Sequence, residues 1–152
     1  MIGFIGEYEA TLDNKGRFLL PAGVKKQLPE GEVPVFVINR GFEKCLTVYP
    51  MQSWKPIYEI ISSLNDFDPK VREFRRYFLN GATQIEVDGA GRLLLPKSLM
   101  EHAGLEKDIV LVSAMDKLEI WDKNKYQQFF ENFSPESFSG LAAEVMAKKV
   151  QP

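Results

Sequence analysis

Two stretches of this chain have an aspartate, a glycine and an arginine at the same spacing: Asp13, Gly16 and Arg17, and Asp88, Gly91 and Arg92. Each set precedes an apolar run and a proline, in DNKGRFLLP and DGAGRLLLP. A carboxylate at the start of such a turn can accept hydrogen bonds from turn amides and from the arginine. An arginine held in this way can also contact guanine edges or phosphates in a groove of DNA. The spacing is therefore consistent with a structural turn, with a nucleic-acid contact, or with both at once.

The charge of the whole chain does not indicate a nucleic-acid partner. Nineteen basic residues stand against twenty-one acidic ones, which gives a net charge of -2 and a pI near 5.5. A DNA-binding surface would then need a local concentration of basic side chains. The candidates besides the two arginines are Lys15, Lys25, Lys26, Arg40, Arg72, Arg75 and Arg76. Such groups are commonly only a solvated surface, so on their own they do not locate a site.

The residues needed for common enzymatic chemistry are isolated. The chain has one histidine, His102, and one cysteine, Cys45, which supports neither a Cys–His dyad nor a cysteine-rich zinc site. The stretch GRLLLPKS has the spacing of a phosphate-binding loop, but Pro96 replaces a glycine whose backbone amide such a loop uses. Scattered carboxylates leave a small hydrolase open as an alternative. We predict a protein that is not an enzyme and has no cofactor, no metal and no small-molecule substrate.

The sequence also predicts where the protein works. The stretch MIGFIGEYEA has no basic start and reaches Glu7 too early for a signal peptide. No window approaches the roughly 18 to 20 apolar residues of a membrane span. A single cysteine fits a reducing compartment. We therefore expect a cytoplasmic protein without a membrane partner.

The two turns belong to a longer internal repeat. An offset of 75 residues relates Asp13 to Asp88 and Arg17 to Arg92, and an offset of 72 relates Tyr49 to Trp121 further along. The match covers roughly residues 7 to 61 and 82 to 133. Because self-similarity at a fixed offset is the signature of a duplicated unit, we predict two copies of one fold.

Each copy has the same predicted order of strand, strand, helix, strand, strand, helix. The turn residues predict a hairpin between Glu7–Leu12 and Arg17–Leu20, and another between Thr83–Val87 and Arg92–Leu95. Prolines 21 and 96 then suit the first turns of short helices, the second of which ends at Gly104. The remaining predicted strands pair across a loop in each copy, Val33–Ile38 with Cys45–Tyr49 and Ile109–Val112 with Leu118–Trp121. Helices that begin at Pro50 and Asp122 carry aromatic residues at spacings of three and four.

Two further segments lie outside the repeats. Asp68 and Pro69 predict the start of a linker helix, and Ser134 and Pro135 precede a weak helical stretch from Phe138 to Val150. We therefore predict a first repeat over residues 6–62, a linker helix within 63–80, a second repeat over 81–133 and a C-terminal tail over 134–152.

The doubled D-x-x-x-R motif, with the stretches GFEKCLTVYP and DKLEIWD that follow the two copies, resembles the MraZ family of bacterial proteins. The resemblance runs from Gly6 to about Phe133 and leaves out the tail. It implies an α+β fold, a pseudo-two-fold swapped-hairpin β-barrel built from two tandem AbrB-like modules and flanked by helices. In such a barrel the two halves of one chain take the places of the two chains of an AbrB-like dimer.

The resemblance also implies a function. Members of this family are transcription regulators that bind repeated sites in the promoter of a cell-division and cell-wall gene cluster, and they assemble into homo-oligomeric rings. The partners implied are double-stranded promoter DNA and further copies of the chain, on the nucleoid. The DNA-binding residues that carry over are Arg17 and Arg92, with Asp13 and Asp88 as their acids and Lys15 at a variable position. The alternative is an assembly scaffold of the same fold that does not bind DNA.

Overall fold

The computed structural model describes residues 3–31 and 33–148, which form a mixed α+β fold. The described strands are β1 (Glu7–Thr11), β2 (Arg17–Leu19), β3 (Val35–Arg40), β4 (Leu46–Pro50), β5 (Thr83–Glu86), β6 (Arg92–Leu94), β7 (Asp108–Ala114) and β8 (Lys117–Asp122). The described helices are α1 (Ala22–Lys25), α2 (Met51–Ser62), α3 (Pro69–Asn80), α4 (Lys97–Ala103), α5 (Lys123–Glu131) and α6 (Pro135–Ala147). We call β1 to β4 with α1 and α2 the first half, and β5 to β8 with α4 and α5 the second half. The predicted order of elements is confirmed in both.

Six strands form an antiparallel sheet to which each half contributes three strands. The order is β1-β7-β8-β4-β3-β5, so each half places its first strand at the far edge of the other half. Strands β3 and β4 pair across their loop, as do β7 and β8, and both pairings were predicted. Strands β4 and β8 meet at the centre. The order is the same when counted from either end with the halves exchanged, which reflects the duplication in the sequence.

The predicted hairpins between β1 and β2 and between β5 and β6 are wrong, although the turns themselves form. Within the described chain, β1 pairs with β7, β5 pairs with β3, and β2 pairs with β6 in a separate two-stranded sheet. A strand of three residues makes a weak hairpin alone, whereas pairing β1 along the longer β7 places Tyr8 and Ala10 against the core. The strands therefore separate after each turn and find partners in the other half.

Some predicted boundaries also change. Strand β3 begins at Val35 rather than Val33, because Pro34 lacks the amide that a ladder needs and Val33 is exposed. Helix α4 ends at Ala103, as expected, and Gly104 caps it in the left-handed conformation with a φ of 60°. Helix α6 begins at Pro135, before the predicted Phe138, and the predicted end at Val150 lies outside the described residues.

The main core is shared equally between the halves. Equivalent residues are buried in pairs, for example Phe18 with Leu93 and Leu20 with Leu95, none of which is more than 8% exposed. The other fully or largely buried members include Val24, Phe36, Ile38, Leu46, Val48, Leu99, Ile109, Leu111, Leu118 and Ile120. Because one core contains side chains of both halves, neither half can bury its apolar strand faces alone.

Helices α2 and α5, which follow the central strands, differ in how far a neighbouring helix covers their aromatic faces. On the first half, α3 lays Phe78 against Trp54 with ring centroids 6.0 Å apart, and Tyr49 and Val37 complete the cluster. On the second half, the equivalent cluster contains Trp121 and the half-buried Tyr126. Here Phe129 and Phe130 on α5 remain 54% and 47% exposed. The predicted aromatic faces therefore form, but among the described helices only α3 covers one of them.

Helix α6 lies apart from the core. None of its described side chains is buried, and its apolar residues include Phe138, Leu141 and Val145, each about half exposed or more. Ser134 caps it by accepting a hydrogen bond from the Ser137 amide. Among the described residues, no helix combines the length and the apolar character that crossing a membrane requires.

Candidate nucleic-acid interface

The first D-x-x-x-R turn is a compact hydrogen-bonded unit. One oxygen of the Asp13 carboxylate, Oδ1, accepts the backbone amides of Lys15 and Arg17, both at 2.9 Å. The other oxygen, Oδ2, accepts Arg17 Nε at 2.8 Å. The Asp13 amide donates to the Arg17 carbonyl, and the Gly16 amide donates to the Asp13 carbonyl. Gly16 has a φ of +83°, a conformation that L side chains rarely adopt.

The second turn repeats this geometry in the other half. Asp88 Oδ1 accepts the amides of Ala90 and Arg92 at 2.9 and 2.8 Å, and Oδ2 accepts Arg92 Nε at 3.0 Å. Gly91 has a φ of +82°. The structural role predicted for the two acids is therefore present twice, with the same atoms in the same places.

Both acids are held in the charged form by these contacts. The backbone hydrogen bond from Arg17 is the largest cause that lowers the pKa of Asp13, which falls from 3.8 to about 2. The corresponding bond from Arg92 lowers the pKa of Asp88. Each carboxylate therefore stays ionised to a lower pH than an unperturbed aspartate, and it orients the guanidinium of its arginine.

Strands β2 and β6 bring the two arginines onto one surface. In the antiparallel register Arg17 lies opposite Leu94, Phe18 opposite Leu93 and Leu19 opposite Arg92. Side chains alternate between the faces of a strand, so Phe18 and Leu93 enter the core while the four flanking residues share the outer face. The arginines were expected on separate hairpin tips, whereas the structure places them on one two-stranded unit. We call β2 and β6, with the two turns, the arginine ribbon.

Backbone bonds between the halves fix the two turns relative to each other. The Leu20 amide donates to the Gly91 carbonyl at 3.0 Å, and the Leu95 amide donates to the Gly16 carbonyl at 2.9 Å. Each turn glycine thus accepts a hydrogen bond from the residue that follows the ribbon strand of the other half. The arginine ribbon is consequently a joint product of the two halves, anchored beneath by Phe18 and Leu93 at 1% and 0% exposure.

The other basic residues have different surroundings. Lys15 is exposed on the first turn, where the second turn has Ala90. Arg75, in α3, donates to the carbonyls of Ile61 and Leu64 and pairs with Asp66, so it has a structural role in the loop between α2 and α3. Arg40 lies over the Tyr77 ring, 5.0 Å from its centroid.

Groups that suggest other chemistry are placed unfavourably for it. Cys45 is buried, and burial raises the pKa of its thiol to about 12, so the thiolate needed for a nucleophile or a metal ligand is disfavoured. Glu43 and Glu119 approach the same sulfur, but this exposed and half-buried pair also raises that pKa. His102 is partly buried on α4, where desolvation lowers the pKa of its imidazole.

Two residues of the ribbon's outer face were not predicted from sequence. Leu19 and Leu94 are 62% and 52% exposed, although both stand within apolar runs. The signal that identifies them is the period of two, counted from the buried Phe18 and Leu93.

The fold and the ribbon define a class of protein: a duplicated α+β chain in which each half supplies one arginine turn to a shared surface. The sequence model of the MraZ protein family, described as antitoxin-like, matches residues 4–77 and 78–148. The chain belongs to the MraZ family.

Individual relatives are similar along almost the whole chain. The protein from Cytophaga hutchinsonii is 44% identical over 144 residues, which cover 95% of each chain. The protein from Christiangramia forsetii is 47% identical over 147 residues, covering 96% of this chain and 94% of its own. The protein from Flavobacterium psychrophilum is 43% identical over 143 residues. All three carry the name "Transcriptional regulator MraZ".

Proposed function

We propose that this protein is a DNA-binding transcription regulator that contacts DNA with the arginine ribbon. The observation that carries the proposal is that two arginines from opposite halves lie on one face of a two-stranded ribbon. A two-stranded β-ribbon has the width to enter the major groove of B-DNA. Each Asp engages Nε, so the bidentate donors Nη1 and Nη2 are not used by the turn.

The roles of the site residues follow from this geometry. Arg17 and Arg92 contact guanine edges or phosphates, and Asp13 and Asp88 orient them, which lowers the entropic cost of binding. Lys15 adds a phosphate contact at the first turn only. The name that the relatives carry supports a role in the regulation of transcription and not an enzymatic activity. The target that we propose is a set of repeated sites in the promoter of a cell-division and cell-wall gene cluster.

We propose the swapped-hairpin barrel as the description of the fold, with the repeats, linker and tail divided as the sequence predicts. The exchange of β1 and β5 between the halves supports it. A ribbon shared by two halves then corresponds to the arrangement that two separate AbrB-like chains would create.

A ring of identical subunits is the proposed form of the protein on the nucleoid in the cytoplasm. Two exposed apolar surfaces support this form, and they are not alike. The first, on α2, α3 and the loop between them, includes Tyr58, Ile60, Phe67, Phe74 and Tyr77, and the second, on α5, α6 and the loop between them, includes Phe129, Phe130, Phe133, Phe138 and Leu141. Contact between unlike surfaces of identical chains joins them head to tail, which produces a ring when the rotation closes. Several ribbons in one ring would add weak contacts into tight binding to repeated sites.

Selection of bound fragments from genomic DNA tests the proposal. Purified protein is incubated with sheared genomic DNA at low salt, and the retained fragments are sequenced. Enrichment of promoter fragments with a repeated short sequence is the expected result. Recovery of no fragment above background would instead support the assembly scaffold, since that alternative retains the fold without DNA binding.

A further inference from the structure

We propose that Leu19 and Leu94 determine part of the sequence specificity by contacting thymine methyl groups beside the bases that the ribbon arginines contact. This inference rests on the proposed function, because it concerns the same ribbon and the same DNA. It adds a thymine requirement that charge and arginine alone do not provide.

The exposure of the two leucines singles them out. In the ribbon strands and the residue that follows each, Phe18, Leu20, Leu93 and Leu95 are all at most 8% exposed, whereas Leu19 and Leu94 are 62% and 52% exposed. A single exposed leucine is common on a protein surface. Here, however, two exposed leucines occupy equivalent positions of the repeat, on the same short face as the only two arginines of the ribbon strands.

The register places each leucine beside an arginine of the other half. Leu19 lies opposite Arg92, and Leu94 lies opposite Arg17. Directly opposed residues of an antiparallel pair have Cβ atoms about 4.5 to 5.5 Å apart. A Cβ at Gly91 would be 3.9 Å from Leu19 Cδ2, so this leucine extends over the turn that carries Arg92. The outer face thus consists of two arginine–leucine couples.

The chemistry of the major groove matches such a couple. Guanine presents two acceptors, N7 and O6, that suit the donors of arginine, and thymine presents an apolar C5 methyl group. Stacked base pairs are about 3.4 Å apart, so side chains with Cβ atoms about 5 Å apart can reach neighbouring bases. Because the strands are antiparallel, the couples have opposite directions. The expected site therefore contains two guanine–thymine couples in inverted order.

Replacement of thymine by deoxyuridine tests the inference, since it removes only the methyl group. The probes are duplexes of one genomic fragment that the protein selects, each with one deoxyuridine in place of a thymidine. We expect the wild-type protein to lose about three- to fivefold in affinity at a thymine in each couple, the effect of removing one buried methyl. A deoxyuridine in place of any thymidine outside the two couples should leave the affinity unchanged.

Leucine variants then connect each methyl to its side chain. Leu19→Ala should remove the deoxyuridine effect at one couple and leave the other, and Leu94→Ala should do the reverse. Both residues are exposed, so both variants should retain the wild-type circular dichroism spectrum and melting temperature. Arg17→Lys serves as the matched variant on the same face, and it should weaken binding while retaining the deoxyuridine effect at the couple that contains Leu19.

The outcomes separate this inference from the proposed function. Deoxyuridine effects that persist in both leucine variants, or that are absent from every position of a fragment that still needs the arginines, would overturn the inference and leave the function intact. If wild-type protein selects no fragment, the function itself fails and the inference fails with it.

Discussion

Removal of one ribbon arginine should weaken DNA binding by an amount that shows what the arginine contacts. A bidentate arginine–guanine contact contributes about 1 to 3 kcal/mol, which corresponds to about a 5- to 150-fold change in Kd. Arg17 is suited to such a contact because its Nε donates to Asp13 at 2.8 Å, so its side chain is already ordered in the absence of DNA. We therefore expect Arg17→Ala and Arg92→Ala each to raise Kd within this range on a selected fragment.

The assay is fluorescence anisotropy with a labelled duplex at one fixed salt concentration. Arg76→Ala is the matched control, since it removes the same charge from an exposed position on α3. Arg17→Lys keeps the charge but lacks the planar bidentate donors, so it should lose most of the same affinity if the contact is a base and little if it is a phosphate. Circular dichroism of each variant checks the fold.

Two results would refute this reasoning. One is wild-type affinity in both Arg17→Ala and Arg92→Ala, which would show that the ribbon does not contact DNA. The other is an equal loss in Arg76→Ala, which would show that any positive charge contributes alike and that the ribbon has no special role.

The remaining predictions concern salt, the core, acid and assembly. The logarithm of Kd should rise linearly with the logarithm of salt concentration, and a flat titration would exclude phosphate contacts. Phe18→Ala should lower the free energy of unfolding, measured in urea, by about 3 to 5 kcal/mol, because the side chain is 1% exposed. Leu19→Ala should change it by less than about 0.5 kcal/mol, and similar losses in both variants would show that Phe18 does not anchor the ribbon. The pKa of Asp13 is lowered from 3.8 to about 2, so the contribution of its ionised form to the free energy of unfolding should be complete above pH 3.8 and disappear as the pH falls towards 2. Asp13→Asn should lack this pH-dependent contribution, and an acid unfolding transition identical to that of the wild type would contradict the prediction. Light scattering at micromolar concentration should give a mass well above one chain, and Phe130→Glu should reduce it; a monomeric wild-type protein would exclude the ring.

The sequence was sufficient to predict the elements and the turns, because both depend on local chemistry. The spacing of Asp13, Gly16 and Arg17 already specifies which atoms can bond, and the structure contains those bonds. Similarly, Asp122 was expected to cap a helix, and its carboxylate accepts the Lys125 amide at 3.3 Å.

The pairing of strands could not be predicted in the same way. Tight turns at Gly16 and Gly91 favour local hairpins, but the free energy also depends on partners about one hundred residues away, such as the residues of β7 that pair with β1. Sequence periodicity gives no weight to those distant partners. For this reason the arginines were expected on two tips, and Leu19 and Leu94 were not recognised as exposed.

Because both halves of the ribbon belong to one chain, the ribbon persists when the protein is dilute, and its two turns can diverge in sequence. Two separate chains would assemble such a ribbon only above their dissociation constant, whereas tethered halves meet at an effective concentration near the millimolar range for a short linker. A single chain therefore keeps its ribbon at any cellular copy number. Joined halves can also change independently, as Lys15 and Ala90 have done. A chain of this kind can accommodate an imperfect palindrome, which a dimer of identical subunits would match less well.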